Sequence, residues 1–423
     1  MKADLIIANA GQLVTCASGG KPKRAAAMLD VGIIEDGAVA VSDGQIIGVG
    51  PSLEILREFT SDEIVDAGGR VVCPGFVDPH THIVFAGDRL NEFELKIKGA
   101  DYLEILASGG GILSTVRATR AASVEALVDL GSGRLDKMLA CGTTTAEIKT
   151  GYGLDLENEL KMLSAIDELD KRNRIGLVPT FLAAHAVPPE FKGNANAYVD
   201  LICREMLQGA WKWYVASGFF GRTLFFCDVF CENGAFSLVQ SKKILETAKS
   251  LGFKLKAHVD EFTNLGGSRL AIEMKAASID HLDSISDGEI KLLAASDTVG
   301  IVTPTVNFNF GSTKFADARK LIDAGCAVAL STDYNPGSAP CPSQPMAMAI
   351  ACRYQKLLPA EALNAATVNA AHAIGLGDMV GSLEPGKRAD MLILDSDDYR
   401  QCASEFGGNL VDSVIKRGKR LSF

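Results

Sequence analysis

Two histidines in this sequence have the spacing of metal ligands, and metal binding is the chemistry that they could support. His80 and His82 stand two apart in the segment GFVDPHTH. In a strand such a pair points to one side, so both imidazoles can reach one metal ion. Alone the pair is a weak signal, because a strand histidine is more often a core residue. His258 and Asp333 follow later apolar runs, and imidazole and carboxylate donors together suit zinc or iron. We therefore predict a metal site built from these four residues.

The segments that would position these residues alternate between strands and helices. Short apolar runs are each followed by a polar loop and a helical stretch, which is typical of a parallel α/β barrel. In such barrels the functional side chains lie at the carboxyl ends of the strands. We predict a (β/α)8 TIM-type barrel. Its eight strands would end at GFVDPHTH, TTTAEIKTGYG, LVPTFLAAH, FFCDVFCENG, FKLKAHVDE, ASIDHLD, TVGIVTPT and AVALSTDYNPG.

Both ends of the chain differ from this middle part. They consist of short β runs separated by glycine-bearing turns, and we predict that the two termini pair into one small β-sandwich domain. The predicted division is a small domain of residues 1–67 and 376–423 and a barrel of residues 68–375. A length of 423 residues fits this division, because a barrel alone takes roughly 250 residues.

The composition excludes several classes of function. The formal net charge is −10 and the basic residues are scattered, so the chain lacks the positive face that nucleic-acid binding needs. No apolar run approaches the ~18 residues of a membrane span, and Asp4 interrupts the short N-terminal apolar stretch, unlike a secretory signal. We expect a soluble, cytoplasmic protein that binds neither nucleic acid nor membrane. The ten cysteines include no CxxC pair, and Cys227 and Cys231 are interpreted as reduced core residues.

Longer motifs connect the sequence to a known family. The segment PGFVDPHTHIVFAGDR resembles the first-strand motif of the amidohydrolase superfamily. The segments GGGILSTVRATR, EIKTGYGLDLENELKML, LAAHAVPPE, DVFCENGAFS, AHVDEF and STDYNPGSAPCPSQPM extend the resemblance, over nearly the whole chain, to the imidazolonepropionases. This resemblance implies a single zinc or iron ion at the four positions named above. Relatives with two metals bridge them through a carboxylated lysine on strand four, which here ends in Cys231 and Glu232.

The same resemblance implies a hydrolase that cleaves a carbon–nitrogen bond in a cyclic amide. The implied reaction is hydrolysis of 4-imidazolone-5-propanoate to N-formimino-L-glutamate, in histidine degradation. Water activated by the ion attacks the ring carbonyl, with Asp333 acting first as general base and then as general acid. His281 assists the carbonyl oxygen or orients the nucleophile, and Glu261 faces the ring nitrogens.

The propanoate arm of that substrate needs a cation. Arg89 in the segment AGDR matches the carboxylate-binding arginine of the family, and its forked guanidinium suits a carboxylate. Lys149 is interpreted as support for its loop, and the family implies a homodimer. The other substrate contacts that the resemblance implies are Tyr102, Tyr152, His185, Glu261, Asn335, Gly337 and Ser338.

Two other functions compete with this interpretation. A mononuclear deaminase, or a cyclic-amide hydrolase acting on another heterocycle, would use the same metal donors. The predicted group of Arg89, Tyr152 and His185 favours the propanoate substrate over a neutral base, which needs no carboxylate site. A catalytically silent barrel that serves as an oligomerisation scaffold is the second competitor. Such proteins usually lose metal ligands, whereas every expected ligand is present here.

Overall fold

The computed structural model describes residues 1–99, 110–172 and 174–421. Its strands form two sheets of eight, one from the middle of the chain and one from the two ends. The strands are β1 (Leu5–Val14), β2 (Ile33–Ser42), β3 (Gln45–Pro51), β4 (Ile64–Asp66), β5 (Val71–Pro74), β6 (Phe76–Asp78), β7 (Thr143–Lys149), β8 (Gly176–Ala184), β9 (Phe226–Cys231), β10 (Lys254–Val259), β11 (Ser278–His281), β12 (Val299–Val302), β13 (Val328–Leu330), β14 (Met391–Leu394), β15 (Val411–Lys416) and β16 (Lys419–Leu421).

Strands β6 to β13 make the barrel. They lie in sequence order, and each pairs in parallel with the next. The first and last strands meet just beyond their ends, where Thr81 forms a parallel bridge with Tyr334. There the backbone N–H of His82 donates to the carbonyl oxygen of Tyr334 over 2.9 Å. All eight predicted barrel strands are confirmed, and so is the (β/α)8 fold.

Helices join the barrel strands and cover them from outside. The helix Leu238–Leu251 shows why: Ser237 and Gln240 form a capping box at its start, and its buried residues recur at intervals of three and four. The remaining α-helices of the described residues are Ser52–Glu58, Leu90–Ile97, Ile112–Ala121, Val124–Ala140, Leu156–Arg172, Ala195–Leu201, Leu207–Ala216, Gly267–Glu273, Asp287–Ala294, Pro304–Asn309, Ala318–Asp323, Gln344–Tyr354, Pro359–Ala365, Val368–Ala373 and Gln401–Ser404. Short 3-10 turns occupy Ala25–Leu29 and Pro189–Phe191, and a π-helical turn occupies Ile202–Met206.

The second sheet brings the two ends of the chain together. Strand β5 pairs in parallel with β1 and antiparallel with β14, so that N-terminal and C-terminal segments alternate in one sheet. This confirms the small β domain formed from both termini. Strand β5 lies just after residue 67, and the domain boundaries at 67/68 and 375/376 stay predictions. The sheet buries its own apolar cluster, which includes Leu5, Val39, Met391 and Ile415.

Two smaller predictions concern cysteines and membranes. Cys227 and Cys231 are free and buried on β9, as expected of core residues. The ten cysteines of the sequence are all free thiols. Among the described residues, no helix has both the length and the apolar character that a membrane crossing requires.

Candidate metal and catalytic site

The four predicted metal donors meet at the carboxyl end of the barrel. The Nε2 atoms of His80 and His82 lie 3.2 Å apart, and the Nε2 atom of His258 lies 3.4 Å from that of His82. Oδ1 of Asp333 lies 3.5 Å from the Nε2 atoms of both His80 and His82. The donors come from the loops after β6 and β13 and from the end of β10.

This spacing fits a single metal ion. Four donors about 2.05 Å from a tetrahedral zinc ion stand about 3.3 Å from one another. Burial lowers the pKa values of His80 and His82 well below the usual range, so both imidazoles are neutral, which is the form that binds metal. Within the described chain, the side-chain groups that could hold a metal ion combine these four residues with His281. The donor set therefore fits a metal centre.

Two aspartates that sequence analysis missed contact the outer nitrogens of the donor histidines. Nδ1 of His80 lies 2.6 Å from Oδ2 of Asp280, and Nδ1 of His258 lies 3.0 Å from Oδ2 of Asp228. Such carboxylates fix the ring orientation and tautomer of a metal-binding histidine. The available signal was a charged residue inside an apolar strand, because a buried charge needs a partner.

Lys149 lies in the interior of the barrel rather than at its loop. Its Nζ atom is 2.7 Å from Oδ2 of Asp228 and 2.8 Å from Oε1 of Glu147, and the side chain has no exposed surface. The interpretation of Lys149 as loop support is therefore wrong. The reason is register, since Lys149 is the last residue of β7 and points inward, toward the neighbouring strands.

His281 and Glu261 face each other beside the metal donors. His281 ends β11 with a positive φ of 84°, and its Nδ1 atom lies 3.1 Å from the hydroxyl of Thr303. Its buried Nε2 atom has no hydrogen-bond partner in the described part of the chain and lies 3.9 Å from Oε2 of Glu261. Burial, followed by the nearby charge of Asp333, raises the pKa of Glu261 well above its usual range. The structure thus brings both predicted residues into the site.

A second glutamate holds the loop that carries Glu261. The buried carboxylate of Glu232 accepts hydrogen bonds from the backbone N–H groups of Phe262, at 2.9 Å, and Thr263, at 3.1 Å. These are the two residues that follow Glu261. In the sequence, Glu232 stood out only because it ends strand four where a bridging lysine would lie, and its contact with the Glu261 loop was not predicted.

Arg89 lies beside the loop that follows Asp333. Its guanidinium pairs with Glu92, and its Nη1 atom lies 3.4 Å from the hydroxyl of Thr115. A Cβ atom at Gly337 would stand only 3.2 Å from Nη1 of Arg89, so the absence of a side chain permits this close approach. Tyr102 lies outside the described residues.

His185 and Tyr152 form an aromatic wall next to the metal donors. The ring of His185 stacks on that of His82, with centroids 5.0 Å apart and an interplanar angle of 19°. The ring of Tyr152 lies 5.5 Å from His185. Burial lowers the pKa of His185 to about 3, which keeps the ring neutral at physiological pH. Its Nδ1 atom is 3.1 Å from the carbonyl oxygen of Gly151.

Asn335 organises the turn that carries Gly337 and Ser338. Its side-chain oxygen accepts hydrogen bonds from the backbone N–H groups of both residues, each 2.8 Å long. Its side-chain nitrogen donates to the hydroxyl of Ser338 over 2.7 Å. The three residues therefore share one compact turn next to Asp333.

Known proteins are similar to this chain in sequence and in fold. The amidohydrolase family model matches residues 71–421. The chain is 55% identical to an imidazolonepropionase of Chloroflexus aggregans, with 98% of each chain covered, and 52% identical to one of Herpetosiphon aurantiacus, with 99% and 97% covered.

Solved structures share the fold at much lower identity. An adenosine deaminase from Xanthomonas campestris with bound zinc shares the fold at 20% identity, with a TM-score of 0.70 and 99% and 93% of the chains covered. The guanine deaminase of E. coli shares it at 15% identity, with a TM-score of 0.73 and 99% and 98% covered. The chain belongs to the amidohydrolase family and, within it, to the imidazolonepropionases.

Proposed function

We propose that this chain hydrolyses 4-imidazolone-5-propanoate to N-formimino-L-glutamate, a step of histidine degradation. One observation carries the proposal. The turn from Asp333 to Ser338 connects the metal donors to the anion-binding side of the site, because Asp333 is a donor and Gly337 lies against Arg89. A cyclic amide with a carboxylate arm fits this arrangement, because its ring can lie at the metal donors while its carboxylate contacts Arg89. The relatives at 55% and 52% identity carry the name of this activity.

One metal ion, zinc or iron, would be held by His80, His82, His258 and Asp333. When bound, such an ion supplies Lewis acidity for water attack on a carbonyl carbon. Asp333 accepts the proton that the attacking water loses, and then delivers it to the ring nitrogen as the carbon–nitrogen bond breaks. The carboxylate is suited to this transfer because it stands among the donors and faces the site.

His281 stabilises the oxygen that becomes negative as the ring carbonyl is attacked. The hydroxyl of Thr303 can donate to Nδ1 of His281, which leaves the imidazole proton on Nε2. That Nε2 atom has no partner in the described chain, so it is free to donate to the substrate. Glu261, 3.9 Å away, is placed to contact the ring nitrogens.

Arg89 binds the propanoate carboxylate in this proposal. Glu92 engages the Nε and Nη2 atoms of Arg89, the Thr115 hydroxyl lies 3.4 Å from Nη1, and Gly337 lies against the guanidinium. A substrate carboxylate there would accept a charge-assisted hydrogen bond from the guanidinium. Tyr152 and His185 would line the remaining side of the substrate, and Tyr102 stays a predicted contact.

The deciding experiment uses freshly generated imidazolonepropionate and purified, metal-loaded protein. Loss of the ring chromophore is followed while the product is identified by mass, with chelator-treated protein as the control. Ring opening adds one water molecule and releases no ammonia, whereas a deaminase releases ammonia. Metal-dependent N-formimino-L-glutamate supports the proposal, and ammonia release or no turnover with metal bound contradicts it.

We further propose a cytoplasmic homodimer, on the basis of the resemblance to the imidazolonepropionases. Light scattering of the purified protein measures its mass in solution. A mass equal to twice the 44.8 kDa of one chain supports the dimer, and a monomer contradicts it.

A further inference from the structure

Beneath the metal donors, a group of charged side chains is buried inside the barrel. Each has a relative exposure of 0%, and they come from strands β7, β9, β10 and β11. We call this group the buried ion network. Its members are Glu147, Lys149, Asp228, Lys256 and Asp280.

Lys149 is the centre of the buried ion network. Its Nζ atom lies 2.7 Å from Asp228, 2.8 Å from Glu147 and 3.6 Å from Asp280. Burial alone would lower the pKa of Lys149, but the carboxylates of Asp228, Glu147 and Asp280 raise it overall above the usual range. The side chain of Lys149 therefore carries a positive charge in the folded protein. Lys256 is the second cation, with its Nζ atom 3.7 Å from Asp280 and 2.7 Å from the carbonyl oxygen of Pro79.

We infer that Lys149 is a positioning residue of the metal centre, acting through Asp228 and Asp280. Asp228 lies against His258, and Asp280 lies against His80. Lys149 touches both aspartates and neither histidine in the described contacts, so its effect on the metal passes through them. The inference rests on the metal centre of the proposed function and on no assumption about the substrate.

Two possible effects of Lys149 on metal affinity predict opposite results when this lysine is replaced. One is the repulsion between its positive charge and the metal ion, and the other is its hold on the orientation of Asp228 and Asp280. An ammonium ion near a metal repels it, so its removal should tighten metal binding if charge alone matters. If Lys149 instead holds the two aspartates in place, its removal frees the donor histidines to turn, and metal binding should weaken. Loss of an outer-shell partner typically weakens metal binding about 10- to 100-fold.

The experiment measures zinc affinity of Lys149→Met by competition with a chelator of known affinity. We expect the dissociation constant for zinc to rise about 10- to 100-fold, and the visible spectrum of the cobalt-substituted protein to shift. An unchanged or smaller dissociation constant would overturn the inference. A wild-type protein that binds no zinc would instead refute the metal centre, so the two failures are distinguishable.

Lys416 provides the matched control. It is a buried lysine whose Nζ atom lies 2.6 Å from Oδ2 of Asp390 and 2.7 Å from the carbonyl oxygen of Thr144, on strand β15 of the terminal sheet. Lys416→Met removes the same kind of buried ion pair away from the metal donors. We expect it to lower the melting temperature and to leave zinc affinity at the wild-type value. Weakened zinc binding in this variant equal to that in Lys149→Met would also overturn the inference.

A paired substitution covers the case in which Lys149→Met does not fold. Lys149→Met with Asp228→Asn removes one charge of each sign, so the net buried charge is unchanged and the cost of an uncompensated charge is avoided. We compare it with Asp228→Asn alone. The pair should bind zinc several-fold more weakly than the single variant, because Asp280 also loses its contact with Lys149. Equal affinities would overturn the inference.

Discussion

Asn335 donates a hydrogen bond of 3.1 Å to Oδ1 of Asp333, the same oxygen atom that lies 3.5 Å from the Nε2 atoms of His80 and His82. The other end of the Asn335 amide holds the N–H group of Gly337. One side chain therefore fixes both Asp333, a proposed metal donor, and the turn that lies against Arg89, the proposed carboxylate-binding residue.

Replacing Asn335 by alanine should impair turnover. Oδ1 of Asp333 would lose the hydrogen bond from Asn335, and the backbone N–H of Gly337 would lose its acceptor. A hydrogen bond to a charged group contributes about 1.5–3 kcal/mol, so we expect kcat to fall roughly 10- to 100-fold. Steady-state kinetics provide the measurement, and Asn409→Ala, which removes an exposed amide bonded to the Ala140 carbonyl oxygen, is the control. A wild-type kcat in Asn335→Ala would refute this role.

Replacing Asp333 by asparagine should abolish turnover while the fold is retained. The amide keeps the shape of the side chain but cannot accept the proton from water. General acid–base groups contribute roughly 10²- to 10⁴-fold to the rate, and we expect kcat to fall by at least that range. Circular dichroism checks the fold alongside the kinetics. Substantial activity in a folded Asp333→Asn protein would remove this residue from the mechanism.

Replacing Arg89 by alanine should raise KM for the propanoate substrate. The lost charge-assisted contact corresponds to roughly a 10- to 100-fold rise. Arg89→Lys should fall between the two proteins, because an ammonium lacks the planar fork. Arg400→Ala, which removes an arginine paired locally with Asp398 at the surface, is the control. An unchanged KM in Arg89→Ala would contradict the assignment of the carboxylate site.

Asp283 should make folding stability depend on pH. Burial raises the pKa of its carboxyl from 3.8 to about 7, so between those values the folded state binds the extra proton. The contribution of Asp283 to stability is then fully present below about pH 4 and falls as the pH rises toward 7. Three units correspond to an upper limit of about 4 kcal/mol. Asp283→Asn should remove this loss, because Asn307 can still donate to the new side-chain oxygen, as it does over 2.8 Å to Asp283.

Chemical denaturation at pH 5 and pH 8 tests the role of Asp283. The drop in unfolding free energy between the two values should be smaller in Asp283→Asn than in the wild type. Asp62→Asn is the control, because the Asp62 side chain is 92% exposed. An equal drop in wild type and Asp283→Asn would show that the carboxyl is not the source.

The elements of the barrel and the convergence of the four donors were predictable from local pattern. A barrel gathers the ends of its strands on one rim, so His80 and His82, in the loop just beyond β6, lie close to Asp333, in the loop beyond β13. The two chain ends were predictable as one domain for a similar reason, because both show short strands and glycine turns.

The contacts across the barrel interior were not predictable in the same way. His80, in the loop after β6, and Asp280, on β11, are 200 positions apart, and these two strands are not neighbours in the sheet. Their meeting depends on the tilt and closure of the barrel, which a period of two does not reveal. The inward direction of Lys149 follows from its position at the end of β7, whereas its partner Asp228 lies 79 positions away and could not be identified from the local pattern. The residue roles toward the substrate stay predictions.

The barrel closes at a seam, where its first strand, β6, meets its last strand, β13. The position of this seam determines when the metal donors come together during synthesis. Asp78 and Ser331 are 253 positions apart, and they meet across the seam through a 2.6 Å hydrogen bond. During synthesis on the ribosome, His80, His82 and His258 emerge before Asp333, so a nascent chain holds only a three-nitrogen set. The fourth donor arrives with the strand that closes the barrel. The complete set of four donors thus needs the chain as far as Asp333, and it coincides with closure of the sheet.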